Sequence, residues 1–433
     1  MKNLLFLLIS FTLLFSSCEN DINVPEQPQN DIGSKIQRNY RITVDEAINN
    51  VNSLLDIIDN NSSSSGNVTM KATVKYRSIK DVSVVTNKPK TTGYTLMNAT
   101  SGNVSETTDT LYYVINFDND QGFAFASADS RFEPVFCITE NGSYYEGDSI
   151  DNPGFAIFIA GLNDLILQKT APRDTLLNPP NGGNDFDNNF YSLGPFELYQ
   201  NVPEKLNMKW GQGYPYNNNC PVISSQKVPA GCVATAIAQI MSYYQYPTSH
   251  NGYTYNWNNI CQHYSVYSPY SPAYSYLAHL FYNDIGLGVN MNYGASGSGT
   301  TAISAKNYLS ARGYNVYNGV INYSDDAIIN NLGSKLALAS GTLAANSSIG
   351  HMWVIDGKIV RRAPAYIQGT FNIHHYVYST VVHCNWGWDG DGNGYFLSGQ
   401  FGCRMSDSDI GTVSLPGEYT SYSYNTQLIF VSH

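Results

Sequence analysis

Near its middle this chain stops carrying anything that a fold could bury. Asn178-Pro179-Pro180-Asn181-Gly182-Gly183-Asn184-Asp185-Phe186-Asp187-Asn188-Asn189 holds one aromatic side chain among residues that interrupt helices and strands alike. The segments on either side must therefore build separate apolar interiors, and 433 residues suffice for two. The break reads as an exposed linker, where chains are cut most readily. It predicts an N-terminal unit over 41–177, a processing linker over 178–190 and a C-terminal unit over 191–433.

The first residues form a separate case. Met1-Lys2-Asn3 is a short basic start, Leu4 to Phe15 is apolar apart from Ser10 and Thr12, and Ser16-Ser17-Cys18 closes the run. Twelve residues are too few to cross a bilayer, so 1–17 reads as a signal peptide. Small residues directly before Cys18 resemble a bacterial lipoprotein processing site. Cys18 would then carry the lipid, 18–40 would be a polar tether, and the protein would be exported and held at the outer membrane, on the cell surface or periplasmic face. The net charge of −11 and the lack of any long Lys/Arg run argue against a nucleic-acid partner. The seven cysteines show no CxxC pair that would suggest zinc, and their pairing is not set by the sequence.

In the N-terminal unit, Ala47, Ile48, Val51, Leu54, Leu55 and Ile58 fall at helical spacing behind Thr43 or Asp45 as cap. Leu111–Phe117 and Gly122–Ala126 predict a hairpin about Asp118-Asn119-Asp120-Gln121. Val135–Thr139 predicts a further strand and Phe155–Leu167 a second helix. Nothing there assembles a catalytic constellation. The C-terminal unit does.

From Val233 the apolar residues 233, 236, 237, 240, 241 and 244 make one stripe of a helix ending before Pro247, which puts Cys232 in its first turn. Unpaired N–H groups and the positive end of the helix dipole favour a thiolate there. Gly350–Gly357 and Tyr376–Trp386 alternate as strands. An antiparallel hairpin centred near Gln368-Gly369 would bring His351 beside Asn385 and Trp386. An Asn amide oxygen in that place can hold an imidazole N–H, and an indole can shield the bond. Cysteine, histidine and asparagine in this order suit nucleophilic cysteine catalysis. The oxyanion needs donors, which the Cys232 N–H and Gln212 in Trp210-Gly211-Gln212-Gly213 can supply.

These segments carry a resemblance. Trp210–Asn217, Gly231–Ala236 with Ala238–Met241, Gly350-His351 with Val354–Gly357, and Asn385–Trp388 resemble the streptopain family of secreted cysteine peptidases, in order over about 195–433. Tyr293–Ser298 adds a weaker match, and Gly122–Asp129 resembles part of the family's inhibitory propeptide. The resemblance implies an α+β fold class. A papain-like catalytic domain, part helical and part antiparallel sheet, would follow a small α+β inhibitory propeptide domain. It further implies Cys232 as nucleophile, His351 as base, Gln212 as oxyanion donor, and Asn385 and Trp386 orienting and covering the histidine. Lys358 to Val382 is longer than the family pattern and predicts an extended hairpin bearing Arg361 and Arg362.

Other motifs are set aside. Asp389-Gly390-Asp391-Gly392-Asn393-Gly394 starts like a calcium loop, but Gln400 stands where the twelfth-position carboxylate belongs, so a glycine turn into strand Tyr395–Leu397 fits better. His374-His375 and His383 lack acidic or thiol partners at ligand spacing. Cys384 points opposite to Asn385 and reads as packing or a disulfide. The tyrosine-rich stretch Tyr264–Tyr282 reads as packing. The expectation is a cysteine endopeptidase made as a zymogen, using a thiolate–imidazolium pair and a thioester, without metal or organic cofactor. Its partners would be protein or peptide substrates and its own propeptide as intramolecular inhibitor. A cysteine amidase acting on cell-wall peptides and an inactive surface-binding protein are the rivals.

Overall fold

The computed structural model describes residues 41–62, 77–86, 97–99, 110–130, 132–145, 148–170, 191–342, 350–367, 370–401 and 424–433. The signal peptide, Cys18, the tether, the 178–190 linker and Cys403 lie outside the described residues.

The chain enters on helix α1, Val44–Ser62. Thr43 and Glu46 cap each other: the Thr43 N–H donates to Glu46 Oε2 at 2.8 Å, and the Glu46 N–H donates to Thr43 Oγ1 at 3.3 Å. Ala47, Val51, Leu54, Leu55 and Ile58 are buried on one face, the predicted stripe. That face packs on strands β1 (Ile79–Thr86), β2 (Met97–Ala99), β3 (Thr110–Phe117), β4 (Phe123–Ser127) and β5 (Val135–Thr139). Burying one such leucine contributes about 1.5–3 kcal/mol. The β3–β4 hairpin closes through Asn119 and Asp120, both at positive φ (56° and 57°). Helix α2, Pro153–Thr170, follows, with Asn152 as cap: its Oδ1 accepts from the N–H groups of Gly154 (3.0 Å) and Phe155 (3.2 Å).

After the linker come β6 (Tyr191–Leu193), β7 (Glu197–Val202), helix α3 (Cys232–Tyr244), helix α4 (Ala302–Ala311), β8 (Asn315–Asn322), helix α5 (Asp325–Asn331), β9 (Leu336–Thr342), β10 (Gly350–Ile367), β11 (Ile373–Asn385), β12 (Gly394–Leu397) and β13 (Tyr424–Ser432). The strands join in one sheet of order β8-β13-β9-β10-β11-β12-β5-β4-β3-β1-β2, with β6 and β7 paired to β10. Every pairing is antiparallel, so the fold class is α+β as expected. The join between the regions is the pairing of β5 with β12, Cys137 opposite Phe396 and Thr139 opposite Gly394. Nothing in the sequence of either strand names the other as partner, so this continuity was not predicted.

Helix α3 packs on one face of the sheet, its Ile237, Ile240 and Met241 sharing an apolar cluster with Leu338, Val354, Ile429 and Val431. Helix α2 packs on the opposite side, where Phe155, Phe158 and Leu162 meet Trp353, Trp386 and Phe396. The extended hairpin exists as β10 and β11. Its register differs from the symmetric pairing: Asn385 pairs with Val354, and His351 has its partner Gly341 on β9. The offset is already present at the innermost described pair, Tyr366 opposite Ile373, so it is set at the turn end of the hairpin; a bulge at Asp356, between Ile355 opposite Cys384 and Gly357 opposite His383, changes it by only one residue. Cys384 is a buried free thiol, as are Cys137 and Cys220, so packing is its part. Among the described residues no helix is long and apolar enough to cross a membrane.

Candidate active site

Cys232 is the first residue of α3, and Gly231 before it has φ +96°, which favours glycine. A Cβ there would also press to 2.9 Å from the Ser298 carbonyl oxygen, so the Ser298 loop lies against the turn that presents Cys232. The Trp210–Gly213 loop is bolted to this helix. Trp210 N–H donates to Gln239 Oε1 at 3.3 Å, Thr235 Oγ1 donates to the Gly211 carbonyl at 3.1 Å, and Ala230 N–H donates to the Gln212 carbonyl at 2.9 Å. The buried Trp210 anchors it further, its indole N–H donating to the His263 carbonyl at 2.6 Å. With its backbone fixed, Gln212 lines the same cavity of about 740 Å³ as Cys232, His351, Ser298 and Trp388.

His351 is buried near the start of β10, its ring 6.3 Å from that of Trp353 and nearly parallel to it, and 6.1 Å from that of Trp388. Its Nε2 lies 2.7 Å from the main-chain oxygen of Trp386. A carbonyl oxygen only accepts, so Nε2 carries the hydrogen and a neutral imidazole is left with Nδ1 as its bare, basic nitrogen. The group that pins the imidazole is thus the Trp386 carbonyl. Asn385, expected in that place, turns away. Its Nδ2 donates to the Met208 carbonyl at 2.7 Å, and its Oδ1 accepts from the Gly387 N–H at 3.2 Å. The changed register is the cause: an Asn paired with Val354 is carried past the histidine. The Trp386 indole N–H bonds the Gly392 carbonyl at 2.8 Å, which fixes the tryptophan whose main chain holds His351.

Sequence reasoning expected an inhibitory N-terminal domain but did not single out the residues that reach the site. Pro153 borders the cavity, and a Cβ on Gly154 would come within 2.2 Å of Trp386 Cε3 and 3.0 Å of His351 Cδ2. The start of α2 is therefore seated against the imidazole. Asn152 holds it there, its Nδ2 donating to the Asp391 carbonyl at 2.9 Å. The available signal was Asn-Pro-Gly at the head of a predicted helix, a cap followed by proline at the first helical position.

In this closed arrangement burial decides the protonation states. It pushes the Cys232 thiol up, against the pull of nearby backbone groups at Met352, Val233 and Cys232 itself. It pulls His351 down to about 4, against the Trp386 carbonyl. Burial thus opposes the charged form of both groups, against the thiolate–imidazolium pair expected from the helix terminus. The Asp389 to Gly394 segment is the expected tight turn, with positive φ at Asp389, Gly390 and Gly392. Asp389 packs its carboxylate on Gly211, where burial pushes it up to about 6. Among the described residues no group of three His, Cys, Asp or Glu side chains is placed to hold a metal ion.

Residues 210–396, from the bolted loop to the strand after the turn, match the Peptidase C10 family. The thiol protease/hemagglutinin PrtT of Porphyromonas gingivalis is 26% identical over 347 residues, 73% of this chain and 36% of that protein. The chain thus spans about a third of that relative's length. Streptopain of Streptococcus pyogenes is 26% identical over 357 residues, 72% of this chain and 78% of streptopain. Among solved structures, a prointerpain A fragment of Prevotella intermedia is 21% identical with a TM-score of 0.47, covering 76% of this chain and 96% of the fragment. Cysteine on the helix, histidine on the sheet and the glutamine loop all lie inside residues 210–396, the segment that belongs to the Peptidase C10 family, and the chain is similar to the streptopain cysteine peptidases.

Proposed function

We propose that this protein is an exported cysteine endopeptidase made as a zymogen, with 191–433 as the catalytic domain and 41–177 as its inhibitory propeptide. The observation that carries this reading is the pinned imidazole of His351, a residue that lines one cavity with Cys232 and Gln212. His351 Nδ1 takes the thiol proton, and the sulfur attacks a peptide carbonyl carbon. The oxyanion is met by the Cys232 N–H and the Gln212 amide. Collapse breaks the C–N bond, the imidazolium gives its proton to the departing amine, and a thioester remains. Water, losing its proton to His351, then releases the acid and restores the thiol. Trp386 serves through its carbonyl, and Asn385 serves by holding the Met208 carbonyl and the Gly387 turn. These steps need no cofactor.

The placement of Pro153 and Gly154 supports the propeptide assignment, because a substrate's leaving side cannot share the space beside His351 with them. Cutting within 178–190 would free that segment. Were Cys18 lipidated, the same cut would release the catalytic domain from the outer membrane. The test is to incubate purified full-length chain and its Cys232→Ala variant, following N-termini and casein hydrolysis. The expected result is a new N-terminus within 178–190 and casein cleavage in the first only, the variant remaining full length. Self-processing by Cys232→Ala would overturn the reading. Hydrolysis of muropeptides with casein untouched would favour the amidase.

A further inference from the structure

Glu140 stands just beyond β5, at the seam with β12, and meets groups that the cleft does not use. One carboxylate oxygen lies 2.9 Å from His383 Nε2, and the other accepts from Lys209 Nζ. His383 Nδ1 lies 2.5 Å from Asp356 Oδ1, and Asp356 Oδ2 accepts from the N–H groups of Lys205 (2.9 Å) and Leu206 (2.7 Å). A carboxylate on each ring nitrogen leaves the imidazole carrying both hydrogens and a positive charge. Burial would pull His383 down, but Asp356 and Glu140 outweigh it and push it up to about 10. Burial would likewise raise Glu140, but His383 and Lys209 hold it down at about 2.

The acid belongs to the N-terminal region and both cations to the C-terminal one. The strand pairing beside them joins β5 to β12 through three residue pairs, too short an edge to be selective by backbone bonds alone. Glu140 prolongs that edge, its N–H donating to the Asn393 carbonyl at 2.8 Å. We propose that His383 and Lys209 form a carboxylate-binding site, separate from the cleft, by which the C-terminal region grips the acidic end of an extended strand. Glu140 is its occupant in the uncut chain. The proposal rests on the reading of the N-terminal segment as removable.

The pH behaviour follows from the groups around the site. Arg77 faces Glu140 from β1's approach, donating to the Thr139 carbonyl at 2.7 Å, with Asp59 of α1 at 3.7 Å from it. Lys205 faces Asp356, and Glu204 takes the hydroxyl of Tyr395, whose ring lies 5.1 Å from His383. Asp356 stays with His383 when Glu140 leaves, so the imidazolium persists at neutrality in both states. Departure on the acid side is then governed by Glu140, with its depressed titration. Its grip is complete above the ordinary glutamate range near about 4.3 and is lost as pH falls toward about 2.

The experiment uses full-length Cys232→Ala chain carrying a site-specific protease sequence within 178–190, cut by that protease, with the N-terminal fragment labelled and its departure followed after dilution. At pH 6 the Glu140→Gln chain is expected to release the fragment at least tenfold faster. Lys209→Met should do the same, and the two together should add less than the product of their separate effects. Lowering the pH from 5 to 3 should bring the unsubstituted fragment toward the Glu140→Gln rate. Equal rates for both fragments, including no measurable departure of either, or fully independent effects of the two substitutions, would overturn the proposal. If Glu140→Gln does not fold, Lys209→Met reads the same contact from the other side. The nucleophile is absent throughout, so a failure here is distinct from a failure of the peptidase reading.

Discussion

Cys232 and Gln212 belong to a half of the site that is tied together over short distances. The bonds from Thr235 to Gly211 and from Trp210 to Gln239 span 24 and 29 residues, and all their groups sit on one helix and the loop before it. His351 is placed differently. Its imidazole depends on a main-chain carbonyl 35 residues away, on the register of a long hairpin, and on a glycine from the N-terminal region. The helix-borne half is thus fixed in place, and in the proposed mechanism it is the receptacle for sulfur and oxyanion. The sheet-borne half can respond to what occupies the N-terminal side of the cleft.

The largest expected effect sharpens this contrast on the helix-borne side. Gln212→Ala removes the proposed oxyanion donor, whose backbone is held independently by Ala230. It should lower kcat by roughly 10²–10³-fold, about 3–4 kcal/mol, with KM and thermal unfolding little changed. A kcat within threefold of the parent would mean that the oxyanion is met elsewhere, and the fixed-receptacle description would lose its second member.

The next effect concerns the sheet-borne side and is a pH dependence. His351 is held down at about 4 by burial in the closed chain, below its ordinary 6.5. An opened or unfolded chain therefore binds the proton first, and the closed form loses stability as pH falls from 6.5 toward 4. The loss is on the order of 3 kcal/mol, at about 1.4 kcal/mol for each pH unit. Asp389, raised to about 6, works in the opposite direction over part of this range, gaining stability as pH falls. Comparing urea unfolding of Cys232→Ala with Cys232→Ala/His351→Gln at pH 7 and 4.5 isolates the histidine. The first chain should weaken more on acidification; parallel behaviour of the two would show that the imidazole is not shut away as described.

The same contrast explains what could be read from the residues. The α3 stripe, the Thr43–Glu46 cap, the β3–β4 hairpin and the Trp210–Gly213 loop are local patterns, and each stands where its spacing puts it. Features that depend on remote partners were not legible. Val135–Thr139 and Gly394–Leu397 are apolar strands with nothing to specify each other, and the bulge at Asp356 follows from the tertiary demand on its carboxylate. His383, set aside for want of acidic partners at ligand spacing, is flanked by Asp356 and Glu140, the latter 243 residues away.

The smallest effect falls on Asn385, where the sequence pattern and the geometry part company. Asn385→Ala leaves the Trp386 carbonyl on His351 and deprives the buried Met208 carbonyl and Gly387 N–H of their partners. Unfolding stability should drop by about 1–3 kcal/mol. The kcat/KM of processed enzyme should fall by no more than roughly tenfold, since an indirect contact is typically worth less than a donor at the reacting atoms. The acid limb of the pH profile should stay in place, because the imidazole keeps its hydrogen-bond partner. A loss beyond a hundredfold together with a shifted acid limb would show that Asn385 swings onto His351 once the N-terminal segment leaves. In that event the sheet-borne half would have two arrangements, with the carbonyl serving the closed chain and the amide the open one.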